Sequence, residues 1–113
     1  MAKFYLLLSS AAKPGRAEEY SEWCRTRHLP DLMDVPGVVG IKRYKDVGKV
    51  PEDGQVRFMT QFELECEDPK AVVAEFGRRM AAKEMDTSDC YDPASVKMQF
   101  TQLETEVGSM FQG

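Results

Sequence analysis

The sequence predicts a ferredoxin-like α+β sandwich, in which two helices cover one face of a four-stranded antiparallel sheet. Three observations predict it. Lys3 to Ser9 is apolar on both alternating faces, Gln55 to Leu64 alternates between apolar and polar residues, and Asp68-Pro69 begins an amphipathic segment. The 113 residues, 42% of them hydrophobic, are enough for one core. We therefore expect a single domain over residues 1–113 with the order β-α-β-β-α-β.

The first half of the chain supplies a strand and a helix. Lys3 to Ser9 is the first strand, and the turn at 13–16 leads to an amphipathic helix from Ala17 to about Leu29. Pro30 lacks a backbone N–H, so it should disturb the regular hydrogen bonding at or near His28. We expect the helix to fray or kink beside this histidine.

A pair of strands follows. The segment Val35-Pro36-Gly37 is a strong turn signal, and the β-branched and aromatic run from Val38 to Tyr44 predicts the second strand. Asp46 to Gly54 is polar and contains glycine, which predicts a loop. The alternating run from Gln55 to Leu64 is the third strand.

The last third of the chain completes the pattern. Asp68 and Pro69 supply an N-cap and a first helical proline for a helix that runs toward Ala82. Glu84 to Ser95 is rich in Asp, Ser and Pro, which predicts an irregular segment, either a pocket lid or an ordered dimer arm. Val96 to Val107 alternates again and is the predicted last strand.

The first strand also predicts an assembly. Because it is apolar on both sides and only one face of the sheet would be covered by helices, the second face needs a partner. We expect a second copy of the chain to cover it, most simply as a two-fold symmetric homodimer.

Charge and cysteine content exclude several classes of protein. The net charge of −4 and scattered basic residues disfavour binding to nucleic acid or to an anionic membrane. The apolar run near the N-terminus is too short for a membrane span and lacks a signal-peptide layout, which predicts a cytoplasmic protein. Three cysteines without paired spacing indicate free thiols.

The only histidine is the main candidate for proton chemistry. Tyr20, Trp23, Cys24 and His28 fall on one stripe of the predicted helix, which should face the interior. His28 is then either a packed core residue or the acid or base of a small cavity, since an imidazole has an unperturbed pKa of about 6.5. Cys24 on the same stripe permits a Cys/His nucleophile, but a buried neutral thiol is the simpler interpretation.

Other candidates lie on the predicted helix and strands. Trp23 is either a core anchor or an aromatic wall of a pocket for a flat ligand. Arg43 could neutralise a substrate carboxylate or phenolate, and Tyr44 could hydrogen-bond a developing oxyanion, but strand alternation allows at most one of them into the same pocket. Tyr5 is a second tyrosine candidate. Gln61 and Gln99 are polar residues within strands, with substrate, solvent or interface roles.

Metal and nucleotide cofactors are not expected. Zinc and non-haem iron sites usually need more than one His or Cys in recognisable spacing, and no glycine-rich phosphate loop is present. Haem needs one axial histidine, so it remains a minor possibility at His28. The predicted chemistry is otherwise independent of a cofactor.

The pattern Trp23-x4-His28-x-Pro30-x5-Pro36-Gly37-x6-Tyr44 resembles the signature of the EthD-like branch of the dimeric α/β-barrel superfamily. The resemblance implies a small homodimer whose sheets pack back to back, with a pocket in each subunit between sheet and helices. It implies His28 and Tyr44 as pocket residues. Members include isomerases, dehydratases, cyclases, cofactor-free monooxygenases and haem proteins, so the resemblance does not name a substrate.

These observations predict a cofactor-independent lyase or isomerase that acts on a small aromatic, phenolic or lactone-like metabolite. His28 is the predicted general acid or base, with a tyrosine as its hydrogen-bonding partner. Two alternatives stay open. One is a cofactor-free monooxygenase of phenols, and the other is a non-catalytic dimeric ligand-binding or stress-response protein.

Overall fold

Four antiparallel strands form one sheet in the computed structural model, which describes residues 1–48 and 54–108. Along the chain they are Ala2–Ala12 (β1), Val38–Lys45 (β2), Arg57–Cys66 (β3) and Tyr91–Thr101 (β4). Their order across the sheet is β2-β3-β1-β4, and each neighbouring pair is antiparallel. Helices connect β1 to β2 and β3 to β4. The predicted ferredoxin-like α+β fold is confirmed.

Alternation along the two central strands separates a helix side of the sheet from an open side. On β1, Leu6 is buried and packs with Phe62 and Leu64 of β3 in the main core. Val72 and Phe76 from the helix after β3 close this core from above. A second cluster lies toward the other end of the helix side and contains the candidate site.

We call this second cluster the aromatic cluster. Its ring-bearing members come from the first helical segment, from β3 and from the start of β4, and its buried cysteines come from the helical segment and the residue before β4. Its named members are Tyr20, Trp23, Phe58, Tyr91, Cys24 and Cys90.

The first helical segment continues past Pro30, contrary to the expected fraying. It consists of Ala17–Trp23 (α1), a π-helical segment Cys24–His28 and Leu29–Met33 (α2). In an α-helix, Pro30 would lack a hydrogen bond and its ring would press on the carbonyl four residues earlier. The wider turn begins before the proline, where the Leu29 N–H bonds to the Cys24 carbonyl. The predicted disturbance near His28 therefore takes the form of a π segment rather than a helix end.

The helix after β3, Pro69–Ala81 (α3), matches its prediction closely. The Asp68 side chain accepts a hydrogen bond of 3.0 Å from the Lys70 N–H, and Pro69 occupies the first turn. Asp68 therefore fixes where this helix begins.

The predicted start of the last strand was wrong. β4 begins at Tyr91 rather than Val96 and ends at Thr101 rather than Val107. Pro93 lies inside it, and this is tolerated because β4 is an edge strand, where a missing N–H costs no ladder bond. The register shifts between Ser9 and Ala11, where the Ala11 N–H donates to the Ser95 hydroxyl.

What remains of the predicted irregular segment packs against the rest of the chain. Met85 and Cys90 are buried, and the Cys90 carbonyl accepts a hydrogen bond of 2.9 Å from the Lys13 N–H. We call residues 82–90 the strap. Of the predicted loop from Asp46 to Gly54, residues 49–53 lie outside the described part of the chain.

The open side of the sheet is more polar than the first strand suggested. Leu7 and Met59 lie there beside Gln61, Glu63 and their charged neighbours, because these residues alternate with the buried ones. A groove of about 690 Å³ on this side extends to the chain after β4. Among the described residues, no helix combines the length and apolar character needed to cross a membrane.

Candidate functional site

The π segment brings His28 against the aromatic cluster. The imidazole stacks on the Trp23 indole, with ring centroids 4.4 Å apart and planes inclined by 13°. Its Nδ1 atom is buried and has no hydrogen-bond partner in the part of the chain that the structure describes. His28 combines features of both interpretations of the sequence. It packs against the core, and its Nδ1 has no hydrogen-bond partner among the described residues.

The surroundings of His28 keep its imidazole neutral. Burial is the largest cause, the nearby Arg43 guanidinium acts in the same direction, and together they lower the pKa of His28 to about 4. Asp31 and Asp86 oppose this change only in part. At pH 7 the imidazole is therefore in its basic form and able to accept a proton.

Arg43 enters the same site from β2. Its guanidinium carbon lies 4.4 Å from the Tyr20 ring centroid and 4.3 Å from that of Phe58, so two aromatic rings contact the cation. Its Nη1 donates a hydrogen bond of 3.2 Å to the Thr60 hydroxyl. Its Nη2 is buried and has no partner among the described residues.

Arg43 reaches this side because of an irregularity in β2. The pairing with β3 shifts between Val38 and Gly40, and Val38 is buried on the helix side. Strict alternation from Val38 would place Tyr44 on that side, but the extra residue reverses the order and places Arg43 there. The bulge therefore decides which of the two candidates shares the site with His28.

Tyr20 is the tyrosine of this site. It is buried, its hydroxyl lies 2.7 Å from the Ser10 hydroxyl, and burial raises its pKa. It stacks on Tyr91, with centroids 5.4 Å apart, and meets the Phe58 ring edge-on. The sequence places Tyr20 on the same helical stripe as His28. It gives no sign that Tyr20, rather than a strand tyrosine, lies in the same cluster as His28.

Trp23 is held from outside the helix by the strap. Its indole Nε1 donates a hydrogen bond of 2.8 Å to Asp86, and the Asp86 N–H in turn bonds to the Asp31 carboxylate at 3.1 Å. The strap is thereby joined to the helix on both sides of the π segment. It fixes the indole against which His28 stacks.

Cys24 is in the cluster, but its thiol is protonated. Burial raises the pKa of Cys24 to about 11, although Arg43 acts in the opposite direction. A thiol of this kind contains very little thiolate at pH 7. The geometry therefore favours the buried neutral thiol over a Cys/His nucleophile.

Four of the sequence candidates lie elsewhere. Tyr44 is opposite Met59 on the open side and is 50% exposed, so the predicted His28–Tyr44 pair does not form. Tyr5 is also on the open side, where its hydroxyl donates a hydrogen bond of 3.2 Å to Glu63. Gln61 lies in the groove of that side, and Gln99 is paired with Leu7 on the same side. His28, Trp23 and Arg43 are the candidates that the structure brings together.

The assembled site combines a base with a cation. It contains a neutral imidazole, aromatic rings and a guanidinium whose Nη2 has no hydrogen-bond partner among the described residues. Within residues 1–48 and 54–108, no group of three or more His, Cys, Asp or Glu residues is arranged to hold a metal ion.

No protein-family model matches the chain, and the search of curated proteins found no match. Its structure is similar to the crystal structure of an ethyl tert-butyl ether D (EthD) family protein from Bacillus halodurans C-125. The two share 11% sequence identity and superpose with a TM-score of 0.52 over 89% of this chain and 99% of that one. The chain therefore has the fold of an EthD family protein, in agreement with the resemblance in its sequence.

Proposed function

We propose that this protein is a cofactor-independent enzyme of the lyase or isomerase type, in which His28 removes and returns a proton. The observation that carries the proposal is a neutral imidazole within electrostatic reach of a guanidinium whose buried Nη2 has no hydrogen-bond partner among the described residues. The first supplies a base and the second stabilises the negative charge that the base creates. Arg43 takes the role that the sequence had suggested for Tyr44.

The chemistry follows from the charges. Removing a proton next to a carbonyl produces an enolate, and removing one from a phenol produces a phenolate. A guanidinium in a water-poor site stabilises either anion without reorganising, and losing one such group costs about 100- to 1,000-fold in rate in known enzymes. The bound anion also offsets the effect of Arg43 on His28, so the pKa of the base rises when the substrate arrives.

The shape of the site supports an aromatic, phenolic or lactone-like substrate. Trp23 stacks on His28 and on Tyr91, with interplanar angles of 13° and 11°. Nearly parallel rings of this kind suit contact with a flat ligand where they are exposed. Their partial exposure supports entry of a ligand at this point.

Solvent deuterium exchange tests the proposal. We expect the protein to accelerate exchange of carbon-bound protons in D₂O for at least one member of a panel of aromatic ketones, phenols and unsaturated lactones, followed by NMR. His28→Gln should abolish the acceleration, whereas Arg25→Gln, an exposed change on the same π segment, should preserve it. Equal exchange by the wild type and His28→Gln, or no acceleration over unfolded protein across the panel, would reject the proposal.

The same two groups favour one second candidate, a cofactor-free monooxygenase. His28 and Arg43 would form and hold a phenolate, which then reacts with O₂. Oxygen consumption that depends on the phenol distinguishes this reaction from isomerisation or elimination. Ligand binding without exchange or oxygen consumption would identify a non-catalytic binding protein.

We also propose that the chain works as a homodimer in the cytoplasm. Val39, Tyr44 and Met59 on β2 and β3 are each more than two-fifths exposed, although all three are large and apolar or aromatic. A second sheet packed against them would remove this surface from water. The three cysteines are free and buried, which suits a reducing compartment.

A further inference from the structure

We propose that the site takes a planar aromatic carboxylate and that Arg43 binds its carboxylate group. The inference rests on the proposed function and adds the charge and shape of the ligand to it, with the carboxylate as the group on which Arg43 stabilises negative charge. It is carried by the position of the guanidinium, since Nη2 is buried without a partner among the described residues.

A partly buried cation with no anion beside it among the described residues is an incomplete arrangement. Most arginines in such positions are paired with a carboxylate, because an unpaired buried charge loses its hydration without compensation. Arg79, also largely buried, shows the usual arrangement in this chain, since its guanidinium bonds to Glu75 at 2.8 Å. Arg43 has a hydroxyl and two rings instead.

The ring contacts hold the guanidinium in place, and its buried Nη2 has no hydrogen-bond partner among the described residues. With Tyr20 and Phe58 at 4.4 and 4.3 Å and Thr60 on Nη1, the side chain is positioned before any ligand arrives. Such preorganisation lowers the entropic cost of binding. A carboxylate oxygen meeting Nη2 would form the charge-assisted hydrogen bond that the site lacks.

The remaining surroundings favour an aromatic acid over an inorganic anion. Phosphate needs several donors to replace its water, whereas the buried unpartnered atoms of the described chain are Nη2 of Arg43 and Nδ1 of His28. The rest of the cluster consists mainly of aromatic and aliphatic side chains, together with the thiols of Cys24 and Cys90. A flat ligand with a single carboxylate satisfies one polar atom and buries its ring against these faces.

Binding is tested with benzoate, its neutral analogue benzamide and inorganic phosphate. The readouts are the single imidazole signal of His28 and the Trp23 indole signal in NMR titrations of the full chain. We expect saturable shifts with benzoate, at least about tenfold weaker binding of benzamide and no competition from phosphate. Saturating benzoate should also raise the pKa of His28, because the carboxylate counteracts Arg43.

Variants locate the binding group. Arg43→Gln should weaken benzoate binding by about tenfold or more. Lys42→Gln removes a cation from the same strand at an exposed position and should leave binding unchanged. If Arg43→Gln does not fold, the comparison of benzoate with benzamide in the wild type decides the matter alone. Equal affinity for the two compounds, unchanged benzoate binding in folded Arg43→Gln, or displacement by equal phosphate would overturn the inference.

The outcome is separable from that of the proposed function. Benzoate binding through Arg43 without any deuterium exchange would support this inference and reject catalysis. Deuterium exchange of neutral substrates without a preference for carboxylates would support catalysis and reject this inference.

Discussion

Burial of His28 makes the stability of the protein depend on pH. The pKa of this imidazole is about 4 in the folded chain and about 6.5 in the unfolded one. Between these values the unfolded chain binds the proton more readily, so the free energy of unfolding falls as the pH decreases from about 6.5 to about 4. Partial exposure of the ring reduces this effect, so the change in the free energy of unfolding that is due to His28 is on the order of 2 kcal/mol.

His28→Gln tests this dependence, since glutamine does not titrate. Relative to the variant, the wild type should lose about 2 kcal/mol of unfolding free energy between pH 7 and pH 4. Urea unfolding of both proteins at several pH values measures the difference. Carboxylates also titrate, and one example is Glu75, whose pKa is lowered to about 2 by Arg78 and Arg79. These groups are common to both proteins, so their effects on the free energy of unfolding cancel in the comparison. Parallel curves would contradict a buried neutral histidine.

Sequence reasoning selects three of the residues that the structure brings together, which are His28, Trp23 and Arg43. Helical spacing identified His28 and Trp23, and strand alternation established that Arg43 and Tyr44 could not both reach it. The choice between them depends on a bulge near Gly40, which sequence alternation alone does not reveal. The hydrogen bond from Trp23 to Asp86 joins distant segments, and the Arg43 Nη2 atom lacks a partner among the described residues; no local pattern predicts either feature.

At the scale of elements, a single turn sets the start of the strand that carries Arg43. Gly37 has a φ of +99°, and its carbonyl accepts a hydrogen bond of 2.8 Å from the Glu65 N–H on β3. A Cβ atom at this position would lie 3.0 Å from a methyl group of Val72 in the main core. Glycine is required here by both backbone conformation and space.

Gly37→Ala should therefore be strongly destabilising. Strain at a positive φ costs about 1–3 kcal/mol, and the contact with Val72 adds to it. Gly15→Ala is the matched control, because Gly15 also has a positive φ of +76° but has nothing within 4 Å of an added Cβ. Denaturant unfolding should show a larger loss for Gly37→Ala. Equal losses would mean that the contact with α3 is unimportant.

Element boundaries were predicted well where local chemistry sets them. Asp68 and Pro69 define the start of α3 by capping, and the structure agrees. The start of β4 was missed because Asp92 and Pro93 look like loop residues, and only the edge position makes them acceptable in a strand. The passage of the helix through Pro30 was missed because a π segment leaves no simple pattern in the sequence.

For the whole molecule, the order of elements was sufficient to predict the fold, because β-α-β-β-α-β permits few sheet topologies. The nature of the open side was less predictable. The apolar first strand suggested a bare hydrophobic surface, whereas Gln61, Glu63 and Gln99 make it mixed. Neighbouring strands contribute alternate residues to a face, so one strand does not determine its polarity.

The proposed homodimer makes a prediction at this scale. Sedimentation equilibrium should give twice the chain mass of 12.8 kDa. Leu7→Lys, which places a charge in the middle of the open side, should give the monomer mass because a buried unpaired charge is unfavourable. Arg27→Gln, an exposed change on the helical side, should remain dimeric. A monomeric wild type, or a dimeric Leu7→Lys variant, would exclude pairing through the open side.

The three cysteines divide between the two hydrophobic clusters. Cys66 belongs to the main core, whereas Cys24 and Cys90 belong to the aromatic cluster, and all three thiols are free and buried. Each cluster thus contains its own alkylation target, so labelling with iodoacetamide and peptide mass spectrometry can time the opening of each cluster separately. Labelling of Cys24 and Cys90 without Cys66 would thus distinguish local opening of the candidate site from global unfolding.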